Sequence, residues 1–324
     1  MTSPRTAWII SDGKQGHLAP MLAVAEALGV DYEIKTVPKI GVVGRLVLAL
    51  RSLMRARYDN GADFSPAPPY PDLCMASGRR TVPFLHNIKR VEPGLFCVYF
   101  MNPRTRRCGA DLIVAQRHDG LEGDGIFQVA TVPHRFSEAM LDRRRRSPKA
   151  QLAALPRPRI AVLIGGDSRH HRFSRKDIRV FAGALAELAA TGAGLMMTTS
   201  RRTPASLTAA VGRIAANTGS YLWDGLGDNP LADILALADE VIVTGDSVNM
   251  IGEAAATGRP VHIFKPSGGH PKFRRFLHAL SEVATIRRFP GPMGGARYPP
   301  VDSTPSVAAA IRRHYAHRLA AMPE

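Results

Sequence analysis

His17 is the side chain best placed in this sequence to take a proton, because it stands in a polar, glycine-containing loop and not on an apolar face. The loop is Ser11-Asp12-Gly13-Lys14-Gln15-Gly16-His17. It follows an apolar run, Ala7-Trp8-Ile9-Ile10, and precedes a helical one, Met21 to Leu28, that Gly29 closes. Strand, loop and helix in that order leave backbone N–H groups at a helix N-terminus, where Gly13, Lys14 and Gly16 suit a phosphate or another anion. An ordinary turn between strand and helix reads equally well, and the GxxxxGKS/T spacing of a P-loop is absent. Asp12 and Asp119 are the alternative bases. Asp119 lies in Gln116-Arg117-His118-Asp119-Gly120, just past a strand expected over Asp111 to Ala115. Ser77-Gly78-Arg79-Arg80-Thr81 is another loop of this kind, after a strand over Asp72 to Ala76, and offers Gly78, Arg79 and Arg80 to an anion.

Three more loops at strand ends gather in the second half. Arg159 to Ile164 reads as a strand, and Gly165-Gly166-Asp167-Ser168-Arg169 follows it. Gly165 and Gly166 permit close backbone approach, Ser168 donates a hydrogen bond and Arg169 brings charge, which together suit a diphosphate; a plain turn is the competing reading. Ser200 and Arg201 open a helix after a strand over Gly194 to Thr199, either as anion ligands or as a cap with solvated arginine. The stretch Val241 to Phe264 reads as strand, loop, helix, strand. Its loop holds Asp246 and Ser247, with helix capping as the alternative for Asp246. On its helix, Glu253 could accept two hydrogen bonds from a ribose diol, or be only an exposed helix residue.

Six polar loops at strand ends imply two alternating βα arrays, hence an α/β protein of parallel sheets whose ligands sit at the carboxyl ends of strands. A chain of 324 residues exceeds one typical core. Asp142 to Pro158, rich in Arg, Pro and Ala, is the expected linker, and Ser65 to Pro71 an expected loop. Ser306 to Met322 reads as a final helix. Gly41 to Tyr58 is amphipathic and basic. Val42, Val43, Leu46, Val47, Leu50, Leu53 and Met54 share one helical face, and Arg45, Arg51 and Arg55 lie on the other. The expected role of that face is packing on its own sheet; the competing role is contact with anionic lipid.

Lys plus Arg outnumber Asp plus Glu 43 to 27, a net charge of +16 that favours anionic partners without choosing among nucleotides, nucleic acid and membranes. Aromatic residues are only 6% and are not interleaved with the basic clusters, so nucleic acid is not expected. The three cysteines lack CxxC spacing, which argues for a reducing compartment and against a disulfide framework. The start leads straight into a strand and no apolar run is long enough to span a bilayer, so the expectation is a cytoplasmic protein, peripheral on the inner face of a membrane at most. Histidines and carboxylates show neither HExxH nor DxD spacing, so no metal and no other cofactor is expected; GxSxG and GxGxxG are absent as well.

Gly16-His17 through Leu28 resembles the GGHxxPxLAxAxxL start of the membrane-associated N-acetylglucosaminyltransferase of peptidoglycan synthesis, a GT-B enzyme. Gly165-Gly166-Asp167-Ser168 is similar to that enzyme's C-terminal GGS loop, and Glu253 to Pro260 to the EAxxxGxP segment on which GT-B enzymes hold the nucleotide-sugar ribose. More closely, nearly the whole chain resembles the ELM1 family, through residues 11–17, 77–81, 116–119, 165–169 and 244–260. That resemblance implies a GT-B-like fold, two Rossmann-like domains facing across a cleft: residues 1–150 for acceptor and catalysis, 156–305 for the nucleotide, and a C-terminal helix, 306–324, packing back on the first. The similarity to GT-B enzymes implies metal-independent transfer of a sugar from a nucleotide sugar to an envelope or lipid-linked acceptor; the ELM1 family itself has no well-defined biochemical activity. The alternatives are a non-catalytic scaffold that recruits a protein partner and a nucleotide-sugar epimerase of the non-hydrolysing type.

Overall fold

The computed structural model describes residues 3–58, 64, 66–105 and 107–321. Ser65, Arg106 and Met322, which fall in segments assigned from the sequence, lie outside the described residues. The elements run β1 Thr6–Ser11, α1 Gln15–Leu28, β2 Asp31–Thr36, α2 Val42–Leu53, β3 Leu73–Ser77, α3 Val82–Val91, β4 Phe96–Phe100, β5 Leu112–Gln116 and β6 Ile126–Val129. They continue with α4 Glu138–Arg146, α5 Ala150–Ala153, β7 Arg159–Ile164, β8 His171–Arg172, α6 Arg175–Ala190, β9 Gly194–Thr199, α7 Ala205–Thr218, β10 Tyr221–Leu222 and α8 Leu231–Leu237. The rest is β11 Glu240–Thr244, α9 Val248–Ala255, β12 Val261–Phe264, β13 Ser267–Gly268, α10 Pro271–Ser281, β14 Ile286–Phe289 and α11 Thr304–Ala320. Two compact units result, Met1–Arg135 with Ser303–Glu324, and Phe136–Asp302.

Each unit holds one parallel six-stranded sheet, in the orders β2-β1-β3-β4-β5-β6 and β10-β9-β7-β11-β12-β14. Central strands such as Leu73–Ser77 and Phe96–Phe100 are buried along their whole length, as strands covered on both faces must be. Alternate residues feed opposite cores. Ala7 and Ile9 pack under α1 and α11, while Trp8 and Ile10 meet Leu48 of α2 and Phe84, Leu85 and Ile88 of α3. In the second sheet Ala161, Leu163, Val241 and Val243 face α8, α9 and α10, and Ile160, Val162 and Ile164 face α6 and α7. In the first sheet the chain leaves β1 toward β2 and then returns to β3 on the other side; in the second, β9 and β10 lie to one side of β7, and β11, β12 and β14 to the other. Such reversals of strand order open a crevice at the strand carboxyl ends.

Two expectations need correction. Asp142 to Pro158 is not a linker: α4 and α5 occupy most of it and bury Leu141 and Leu152 completely in the second core. The density of Arg, Lys and Pro in that stretch concealed two helices that each anchor through a single leucine. Helix α2 does not turn its apolar face inward. It rests on α3 through Leu48 and Ser52, while Val42, Val43, Leu46, Leu50, Leu53 and Met54 remain 55–84% exposed. Asn87 bonds the Ser52 hydroxyl at 3.1 Å and Arg90 the Ser52 carbonyl at 2.6 Å, so polar contacts hold the inner side.

Candidate functional site

The first unit gathers its candidate residues where strand order reverses, between β1 and β3. Asp12 directly follows β1 and is almost wholly buried; His17 is on the first turn of α1. His17 Nδ1 lies 3.0 Å from Asp12 Oδ1. A carboxylate accepts, so Nδ1 is the donor of this contact, and in the neutral ring the lone pair is then on Nε2, the tautomer a general base requires. The Lys14 N–H donates to the same carboxylate at 3.2 Å, and Lys14 Nζ and Arg80 Nε each stand 3.9 Å from Oδ2. The Arg80 guanidinium also donates to the Asp12 carbonyl. From β3, Gly78 comes in with φ +91°, and a Cβ there would lie 2.5 Å from His17 Nδ1 and 2.9 Å from Asp12 Oδ2. Gly78 is therefore glycine because the dyad occupies its side-chain space. Gly13 has φ +80° in the turn, Gly16 lies inside α1, and Arg79 is exposed beside the dyad-bound Arg80. Asp119 ends a 3-10 turn after β5, two strands beyond β3.

The second unit gathers its loops at the equivalent reversal, between β7 and β11, with β9 alongside. Asp246 is the centre of it. Its side chain is fully buried and accepts from the Thr244 hydroxyl at 2.7 Å, the Gly166 N–H at 3.1 Å and the Arg202 guanidinium at 3.1 Å. Arg202 also donates to the Asp167 carbonyl at 3.1 Å, and Thr203 to the Gly165 carbonyl at 2.6 Å. A Cβ on Gly165 would fall 2.1 Å from Asp246 Oδ1, and one on Gly166 1.9 Å from the Arg202 carbonyl oxygen. The two glycines make room for protein groups of neighbouring loops.

This corrects the expected division of labour. The N–H groups of residues 165–168 already donate, to Thr244 Oγ1, Asp246 Oδ2, the Arg202 carbonyl and the His171 carbonyl, at 2.8, 3.1, 3.1 and 2.9 Å. Asp246 itself clamps the loops, and Ser247, not Asp246, caps α9. Ser200 closes its own turn, accepting from the Arg202 N–H at 3.3 Å. Arg169 and Arg201 remain exposed, and the Ser168 hydroxyl accepts from the His171 N–H at 3.2 Å while keeping its own hydrogen.

Glu253, on α9, is half-buried, and it forms no hydrogen bond or ion pair with the described residues. Burial pushes its carboxyl up to about 7. His171 was not singled out by the sequence, yet it is buried against Phe273, its Nε2 has no hydrogen-bond partner among the described residues, and burial lowers its pKa despite the nearby Asp246. Arg202 was missed in favour of its neighbour Arg201, because nothing in Ser200-Arg201-Arg202-Thr203 distinguishes which arginine turns back to the loops. Among the described residues no group of three or more His, Cys, Asp or Glu side chains is placed to hold a metal ion.

Two doubly wound parallel sheets with loops gathered at their strand reversals define a GT-B-like fold, a fold also found in solved glycosyltransferases and epimerases. UDP-GlcNAc 2-epimerase from Methanocaldococcus jannaschii superposes with a TM-score of 0.53 at 11% identity, over 95% of this chain and 99% of that one. Arabidopsis thaliana UGT89C1, solved with UDP, gives 0.52 at 12% identity, over 97% and 90%. Among chains of this fold, this one belongs to the mitochondrial fission ELM1 family, whose model matches residues 15–315. The Arabidopsis thaliana mitochondrial fission protein ELM1 is 28% identical over 276 residues, 76% of this chain; the match spans 65% of that relative's own length.

Proposed function

We propose that the chain transfers a sugar from a nucleotide sugar to a hydroxyl acceptor carried at a membrane surface, without a metal. The Asp12–His17 pair closed over by Gly78 carries this proposal, because the carboxylate orients the imidazole at a strand reversal and leaves Nε2 to act as the base. His17 Nε2 takes the acceptor proton, the acceptor oxygen bonds to the anomeric carbon, and the sugar–phosphate bond breaks with its electron pair going to the nucleoside diphosphate. Arg169, Arg201 and the Ser168 hydroxyl meet the diphosphate charge, and ionised Glu253 accepts from the ribose hydroxyls. Solved proteins of the same fold whose names include UDP or a UDP sugar support the donor class.

The membrane part rests on α2. No helix among the described residues is long and apolar enough to cross a bilayer. Helix α2 instead turns its apolar face to solvent with Arg45, Arg51 and Arg55 at its flanks, and no acidic residue occurs from Ile34 to Tyr58. That is the form of a helix lying in an anionic membrane interface. A second copy of the chain would bring these arginines against their own kind, which disfavours a dimer there.

A second proposal, a GT-B-like scaffold that recruits a protein partner, draws on the internal hydrogen bonds that already occupy the N–H groups of residues 165–168. Product formation separates the two. With a nucleotide-sugar donor and a membrane extract as acceptor source, the chain should release nucleoside diphosphate. His17→Ala should lower that rate by roughly 10²–10⁴ with donor binding intact. Loss of donor binding in His17→Ala contradicts the role given to it.

A further inference from the structure

A cavity of about 590 Å³ lies in the second unit, and none of the loop residues named for the site above lines it. Its apolar lining includes Val180 of α6, Leu277 of α10, Ile286 and Phe289 of β14, and Phe264 of β12. Lys176, Lys265, Arg287 and Arg288 also line it. Among the described residues none of these four cations forms a salt bridge. The carboxylate beside them, Asp177, is already engaged: it accepts from the Ser174 N–H at 2.8 Å, the Ser174 hydroxyl at 2.7 Å and the Ser267 N–H at 3.1 Å. Lys176 and Asp177 belong to the first turn of α6, whose macrodipole adds positive potential at the same spot.

Four cationic side chains line an apolar recess without a salt-bridge partner among the described residues, which favours an anion there. A purely apolar occupant would make no use of those charges, and free inorganic phosphate would leave Val180, Leu277 and Ile286 wet. The volume is that of a site for a ligand of nucleotide size. We propose that this cavity binds an organic phosphate ester, its phosphate at the cationic rim to which Lys176, Lys265, Arg287 and Arg288 contribute and its apolar body against the apolar lining. The site is independent of the sugar-transfer chemistry, since it uses neither Glu253 nor the dyad.

The test uses the full chain and 1-naphthyl phosphate, followed by naphthalene fluorescence and calorimetry. Saturable binding is expected, with inorganic phosphate and uncharged 1-naphthol each weaker by about tenfold or more, and with affinity falling as salt rises. The double variant Arg287→Ala/Arg288→Ala should bind 1-naphthyl phosphate about tenfold more weakly. Its ligand-free melting temperature should not change, because both side chains are exposed. Should that variant fail to fold, Lys176→Ala/Lys265→Ala carries the same expectation. Glu253→Ala should leave this binding untouched. Absence of saturable binding, equal binding of 1-naphthol, or unchanged affinity in a folded double variant overturns the proposal.

Discussion

At Gly78 the backbone has φ +91° and the space a methyl would need is filled by His17 and Asp12. Gly78→Ala should therefore destabilise the chain by roughly 2 kcal/mol and displace the dyad, lowering melting temperature and turnover together. A variant that melts at the wild-type temperature would contradict the packing described. Glu253 gives a pH prediction. Its carboxyl titrates near 7 when folded, above its ordinary value of 4.5, so the folded state binds the proton more tightly than the unfolded one. Stability is unaffected by this group below pH 4.5, declines as pH rises from there to 7, and stays reduced above 7. Glu253→Gln should thus raise stability at pH 8 by on the order of 2 kcal/mol and leave it unchanged at pH 4, checked by denaturant unfolding at both values. Donor affinity should move the other way in wild type, rising between pH 6 and pH 8 as the carboxylate forms. Asp12, His17 and Glu253 stand where the sequence places them, in a loop past a strand or on the helix that follows it, because each adjoins a short strand-and-glycine signal. Asp246 was legible as a position and misread as a role. Its partners Gly166 and Arg202 lie 80 and 44 residues away in sequence, and no local pattern reports such contacts.

Helix α2 is the element whose sequence pattern was right and whose orientation was not. A 3.6-residue period shows that one face is apolar; it does not show whether that face meets the core or the outside. Short polar contacts from Asn87 and Arg90 to Ser52 decide the matter, and they come from α3. The triple variant Leu46→Glu/Leu50→Glu/Leu53→Glu should keep the wild-type melting temperature, since these side chains are 55–72% exposed, and should lose co-flotation with phosphatidylglycerol vesicles at low salt. Equal flotation of variant and wild type would remove α2 as the membrane contact. Strands β7, β9 and β12 fell where their apolar runs predicted them, to the residue. Strands β6 and β14 did not announce themselves, being four residues each with polar or charged side chains at the sheet margin.

For the whole molecule, two βα arrays were readable, but strand order was not. The reversals between β1 and β3 and between β7 and β11 place the loops, and they depend on which strands pair, not on any local signal. The C-terminal helix is similar: α11 buries Val307, Ala308, Ile311 and Tyr315 in the core of the first unit. Deleting residues 303–324 should cost roughly 5 kcal/mol or more, comparable with the entire stability of many domains. Hydrogen exchange should then show lost protection in β1 and β3 while β7 and β11 stay protected; equal protection in both sheets would contradict that assignment. The central claim, that the second unit holds a nucleotide sugar through Glu253, is tested most directly by thermal shift against UDP, GDP, CMP and ADP sugars. One base series should stabilise the wild-type chain, by about 2.7 kcal/mol at a hundredfold excess over Kd, and Glu253→Ala should abolish the shift. No stabilisation by any of the four series would contradict the claim.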